Sequence, residues 1–214
     1  MNELWIYDVI GAGFFDEGLT AKTVRDEIEK LGKVDEITVR INSPGGDVFE
    51  AVAIKALLDN HPAKISVKVD GLSASAATMI QMAGDEIELA DGSMVMIHEP
   101  WGVTVGDEAD HTAQASALGK IGENIAAMYA SKGKRSAEEF RDLMLAETWL
   151  SADEAIDAGL ADKLSDASAK ACKVPSEFGY KNAPNSKDKG RAPTKLSIAA
   201  MSRKIDLTRR GAKL

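Results

Sequence analysis

Cysteine is almost absent from this chain. Cys172 stands alone among 214 residues, so no internal disulfide can form. It sits in a polar stretch, where neither a metal nor a catalytic role is expected of it. A single thiol suits a reducing compartment, and a cytoplasmic protein is the expectation. Long hydrophobic runs are missing too: no stretch approaches the roughly 20 apolar residues that cross a bilayer. The opening MNELWIYDVIG has no basic n-region and no signal-like apolar segment, so neither secretion nor a membrane partner is expected. Histidine is scarce, with three in the chain, and no internal repeat is visible.

Apolar residues make up 44% and charged residues 28%, ordinary for one globular domain with a hydrophobic core. The net charge of −8 hides a split. Residues 167–214 hold 12 Lys/Arg against 3 Asp/Glu, while the preceding 166 residues hold 14 against 31. The expected division is a body over 1–168 and a basic, flexible tail over 169–214. From about Lys170 the tail is rich in Pro, Asn, Ser, Lys and Gly, without a core-forming repeat. Such a tail is either a solvated extension or a docking arm for an acidic surface. Nucleic acid is not expected as its partner.

The body alternates strand and helix patterns. Strands are expected at 3–8, 36–42, 64–70, 86–89, 94–97 and 160–164, from period-two alternation or short apolar runs. Helices are expected at 19–31, 48–60, 109–131, 136–145 and 151–158. Ser136 with Glu139, and Ser151 with Glu154, have the spacing of capping boxes, and Gly159 is a stop signal. Residues 71–84, GLSASAATMIQMAG, read as a turn opening into a helix of small residues. This order implies an α/β fold with a largely parallel sheet, whose sites gather outside the carboxyl ends of the strands.

Three segments place chemistry at those ends. His98 follows the apolar run MVMI and precedes Glu-Pro, whereas His61 and His111 fall in a turn and at a solvent-rich helix start. GLSASAATM has the layout of an exposed serine, where N–H groups at a helix start can hold an oxyanion. It departs from the G-x-S-x-G elbow, so spacing alone leaves Ser73 and Ser75 as rivals. INSPGG offers two glycines whose backbone N–H groups suit an anion or a carbonyl. An imidazole base also needs an orienting carboxylate, and Glu147, just before Trp149-Leu150, is the candidate.

The strings RINSPGGDVFEA, VDGLSASAATM, MVMIHEPWG and ETWLSADEAIDAGLAD, in this order, resemble the ClpP peptidase family. The resemblance runs from about Glu3 to Asp166. It is similar in style to the ClpP-related head-maturation proteases of tailed phages and prophages. It implies the ClpP/crotonase-like spiral of β-β-α units with a protruding handle helix, here 109–131. By position it implies Ser75 as nucleophile, His98 as base and Glu147 as acid, where housekeeping members have Asp. It implies oxyanion donors at the backbone N–H groups of Gly45 and Ala76. A substrate strand is expected near Gly102–Gly106, with Gly46, Gly102 and Val103 as contacts.

The resemblance further implies a polypeptide substrate, capsid or scaffold protein for a phage enzyme. It also implies a homo-oligomeric ring, stacked or single, and no cofactor or metal. The start is short for the axial loops that dock a Clp ATPase, so that partner is not expected. Ile121, Ile125 and Met128 form an apolar stripe on the handle that would seek a partner subunit. The rival readings are a housekeeping ClpP-like subunit, an acyl-CoA enzyme on the crotonase fold, a Ser-Lys peptidase and a non-catalytic relative.

Overall fold

The computed structural model describes residues 2–11, 18–171 and 179–184. The strands are β1 (Glu3–Ile6), β2 (Glu36–Ser43), β3 (Lys64–Ala74), β4 (Glu86–Asp91), β5 (Met94–Ile97), β6 (Thr148–Ser151) and β7 (Lys163–Ser168). The helices are α1 (Ala21–Leu31), α2 (Val48–Asp59), α3 (Ala76–Gln81), α4 (Glu108–Lys132), α5 (Ala137–Leu145) and α6 (Ala152–Ala158). The strands form a single sheet of order β1-β2-β3-β4-β7, with β5 and β6 branching from β3. All pairings are parallel except that of β5 with β6.

The expected α/β class therefore holds, and β3 is its spine. The first half of β3 pairs with β4 (Ser66–Val69), and its second half pairs with β5 (Leu72–Ala74). The sheet forks at Asp70–Gly71, and the fork carries β5 towards the end of β3. Alternation gives the main sheet two unlike faces. One presents Ile37, Val39, Ile41, Val67, Val69, Ile87 and Leu89, each at most 3% exposed, to the helices. The other carries a cross-strand charge ladder: Arg40 with Asp70, Lys68 with Glu88, and Lys163 with both Glu86 and Glu88. Two lysines hold the Glu86 carboxyl down at about 2. The exposed lysine pairs add little stability each but help fix register, whereas the Asp70 carboxylate is buried under Arg40.

Sequence expectation and structure differ at three places. The third strand continues four residues past Asp70, so the turn expected at Gly71 falls at Ser75 instead. Thr148–Ser151 forms β6, which closes antiparallel on β5 where no strand was expected. The last strand begins at Lys163 rather than Leu160. Both capping boxes form, and Gly159 ends α6 in the left-handed region at φ 79°. The long helix α4 packs its second half on the core through Ile125, Ala126 and Tyr129. Its first half projects from the body, almost wholly exposed. Of the stripe expected to seek a partner, Ile125 is buried in the chain's own core, while Ile121 and Met128 are partly buried beside it, and all three line a surface groove. Among the described residues no helix is long and apolar enough to cross a membrane. Cys172 and most of the expected tail lie outside the described residues.

Candidate active site

The strand-to-helix turn is built around Ser75. Its backbone adopts φ 53°, ψ −125°, a region that costs a non-glycine residue on the order of 1–3 kcal/mol. Ser75 N–H still donates to Met96 O at 2.8 Å, so the sheet grips the strained residue from the β5 side. Thr78 closes the turn, both its N–H and its hydroxyl donating to Ser75 O. The Thr78 hydroxyl also meets the phenol of Tyr129 at 2.5 Å, which ties α3 to α4 in the core. Burial pushes that phenol far above its usual range. The result is a half-buried Ser75 Oγ 2.7 Å from His98 Nε2. Ser73, left as a rival by spacing, is 0% exposed, and its hydroxyl has no partner among the described residues. A substrate cannot reach it.

His98 is held from behind. Glu99 N–H donates to Met144 O at 3.1 Å, and the Glu99 carboxylate pairs with Arg141 Nε at 2.6 Å. These contacts moor the residue after the imidazole to α5. Burial pushes the His98 pKa down, and the nearby Glu147 charge partly offsets the fall. The ring is therefore neutral at neutral pH and able to accept a proton.

The INSPGG segment forms the loop opposite. Ser43 is fully buried and its hydroxyl donates to Asp8 O at 2.6 Å. Gly45 has φ 96°, and a Cβ there would sit 2.5 Å from Ala74 O and 2.8 Å from Ser75 Cβ. Its role is close packing against the serine turn. Its N–H donates to Ser43 Oγ at 3.1 Å and is thus spent within the loop, unlike the outward donor expected of it. Among the described residues, the N–H groups of Gly46 and Ala76 have no acceptor. Gly46 is at φ 147°, and a Cβ would fall 2.0 Å from Ile10 O, so no other residue fits.

Glu147 begins the turn into β6 with φ 47°. Its carboxylate lies near His98 but is otherwise engaged. It accepts from Trp149 Nε1 at 3.3 Å, Lys181 N at 2.9 Å and Asn182 N at 2.6 Å. Among the described residues no hydrogen bond joins it to His98. Two clefts flank the imidazole, of about 370 and 520 Å³. Gly46 and Gly102 line the smaller with Ser75, Phe49 and Trp101. Val103 does not line it and is 82% exposed. Sequence reasoning missed Tyr180, which borders both clefts and stacks edge-on against His98 at 5.2 Å. The only available signal was an aromatic stranded in a polar stretch.

The sequence profile described as Clp protease matches residues 21–168, more than half the chain and all of this site up to Glu147. The chain belongs to the Clp protease family. It is thereby one of a family of serine-type endopeptidases. The ATP-dependent Clp protease proteolytic subunit 1 of Chlamydia abortus is 30% identical over 70% of this chain and 83% of its own length. The proteolytic subunit of Porphyromonas gingivalis is 24% identical, covering 79% and 78%. The subunit 1 of Salinibacter ruber is 27% identical over 64% of this chain, which spans only 60% of that relative. Among solved structures, a point mutant of ClpP1 from Listeria monocytogenes superposes with a TM-score of 0.66. It is 24% identical and covers 77% of this chain and 91% of its own. The forked sheet with its projecting helix is thus the Clp protease fold.

Proposed function

We propose that Ser75, His98 and Glu147 carry the family's serine chemistry in this chain. The observation behind this is the 2.7 Å contact between Ser75 Oγ and His98 Nε2, on a turn that exposes one serine and buries its neighbour. In this reading the neutral imidazole takes the Ser75 proton as Oγ attacks a peptide carbonyl. It then gives that proton to the leaving amine, and water hydrolyses the acyl-enzyme by the same route in reverse. Glu147 holds the imidazole orientation once its carboxylate is free to face His98. The developing oxyanion is held by the N–H groups of Gly46 and Ala76. Gly46 takes the place first given to Gly45, whose N–H already has an acceptor. The extended substrate binds along Gly46 and Gly102.

We also propose a phage or prophage prohead as the setting, with capsid or scaffold polypeptide as substrate. The support is the wording of the four motifs and the Glu at position 147. The enzyme would act in the host cytoplasm as a homo-oligomeric ring, its peptidase domain spanning 1–168. Exposed Phe49 and Val52 on α2 supply the apolar surface for assembly. The deciding experiment is fluorophosphonate labelling with peptide cleavage. Ser75→Ala should abolish both, and Ser73→Ala should retain labelling. Equal loss in the two variants overturns the assignment. Cleavage of co-encoded capsid or scaffold protein, read by intact mass, tests the setting, and an uncut substrate would refute it.

A further inference from the structure

Residues 179–184 lie across the candidate site, and their contacts go beyond incidental packing. The Tyr180 ring meets His98 edge-on at 5.2 Å and Trp149 at 5.9 Å. Its hydroxyl donates to Pro44 O at 2.6 Å, inside the glycine loop. Tyr180 and Ala183 pack on a small apolar cluster of Leu72, Ala74, Met96 and Trp149, separate from the main core. The next two residues present consecutive N–H groups to the Glu147 carboxylate. Asn182 adds side-chain donation to Ala146 O at 2.9 Å and Glu147 O at 3.2 Å. One short segment therefore engages the base, the acid and the glycine loop together.

We propose that the groove between His98, Trp149 and Glu147 is a peptide-binding site for the chain's own Gly179–Pro184 segment, and that its occupancy holds the peptidase inactive. Two geometric consequences follow. The phenol stands between the clefts on either side of His98, where an incoming peptide must pass. The Glu147 carboxylate is drawn onto the segment's amides, which leaves His98 without its orienting hydrogen bond. The ligand the groove takes is a peptide with a tyrosine followed by two free backbone N–H groups. Burial pushes the Tyr180 phenol up to about 12, with a Ser75 hydrogen bond pulling the other way, so the phenol stays protonated and able to donate. Polar contacts at the segment's rim are exposed, and each contributes modestly in water, so the closed state can open.

The inference rests on the serine-peptidase reading, and the test separates the two. In the full chain, Tyr180→Ala combined with Asn182→Pro removes the ring and the shorter donor to Glu147. Fluorophosphonate labelling of Ser75 should then accelerate about tenfold or more, the factor expected when a mostly closed site opens. The synthetic peptide GYKNAP should slow it again. Tyr180→Phe, which keeps the ring and loses only the hydroxyl, gives a smaller gain. Unchanged or slower labelling in both variants overturns the proposal, because a segment that completes the site behaves that way. A second arm needs no catalysis: fluorescein-GYKNAP is titrated by polarisation against Ser75→Ala chains with and without Tyr180→Ala and Asn182→Pro. Tighter binding to the substituted chain supports the proposal, and equal or absent binding refutes it. If no chain labels at all, the hydrolase reading fails and the polarisation arm alone decides whether the groove binds the Gly179–Pro184 segment.

Discussion

At the scale of single residues, the candidate chemistry depends on a neutral imidazole at His98. Burial disfavours its cation more than Glu147 favours it, so the pKa lies below 6.5. The neutral ring is the reactive form, so activity is full above the folded pKa and falls as pH drops through it. The acid limb of kcat/KM should therefore have its midpoint below 6.5. In the chain freed by Tyr180→Ala and Asn182→Pro, Glu147→Gln removes the charge that raises the pKa, so the midpoint should move lower still, and the plateau should fall roughly 100-fold. A pH–rate profile on both chains checks this, and an upward shift in the variant contradicts it. Much of the site was legible in the residues: INSPGG, the small-residue serine segment and the MVMIH strand end are all local in sequence. Two details were not. Which glycine N–H is free depends on where the Ser43 hydroxyl points, a tertiary fact. Tyr180 reaches His98 from far along the chain with no periodicity to announce it.

At the scale of elements, the serine turn and the glycine loop are braced against each other. Gly46 pairs as an isolated bridge with Ile10, and Ile10 N–H donates to Gly45 O at 2.9 Å while Asp47 N–H donates to Ile10 O at 2.8 Å. Gly46→Ala forces a Cβ into Ile10 O and a non-glycine residue at φ 147°. It should cost about 2–4 kcal/mol by urea unfolding and lower labelling even where the chain folds. A midpoint unchanged from wild type would show that the loop has room to yield. The α6 cap is a milder case. Ser151 Oγ accepts from Glu154 N–H while the Glu154 carboxylate accepts from Ser151 N–H, so Ser151→Ala should cost about 1 kcal/mol. Helices and caps were readable because their signals are periodic and local. Strand β6 was not, since four residues between two helices carry no pattern, and its strand character comes from pairing with β5. The extension of β3 through Gly71–Ala74 was hidden for a related reason. Small residues read as a turn, yet here they let two strands and Asn42 close on the backbone, with Leu72 N–H donating to Asn42 Oδ1 at 3.0 Å.

At the scale of the whole molecule, the helix layer is unfinished on one side. Phe49 is 69% and Val52 47% exposed on α2, beside a groove of about 310 Å³ also lined by Met79, Ile125 and Met128. Neighbouring exposed apolar side chains over such a groove are the mark of an interface, and a second copy of the chain is the occupant the proposed ring requires. Phe49 also lines the cleft beside Ser75, so assembly there would border the site it encloses. Val52 lines that groove but not the cleft beside Ser75, which makes it the cleaner probe. Sedimentation should give a particle several times the 22.8 kDa chain. Val52→Asp, which places a desolvated charge in each contact, should reduce that particle towards single chains without unfolding them. Labelling of Ser75 per chain should survive in the variant, because both reacting side chains and the loop opposite come from one subunit. A wild-type chain sedimenting as a monomer, or a Val52→Asp chain of unaltered mass, would place the apolar face outside any subunit contact.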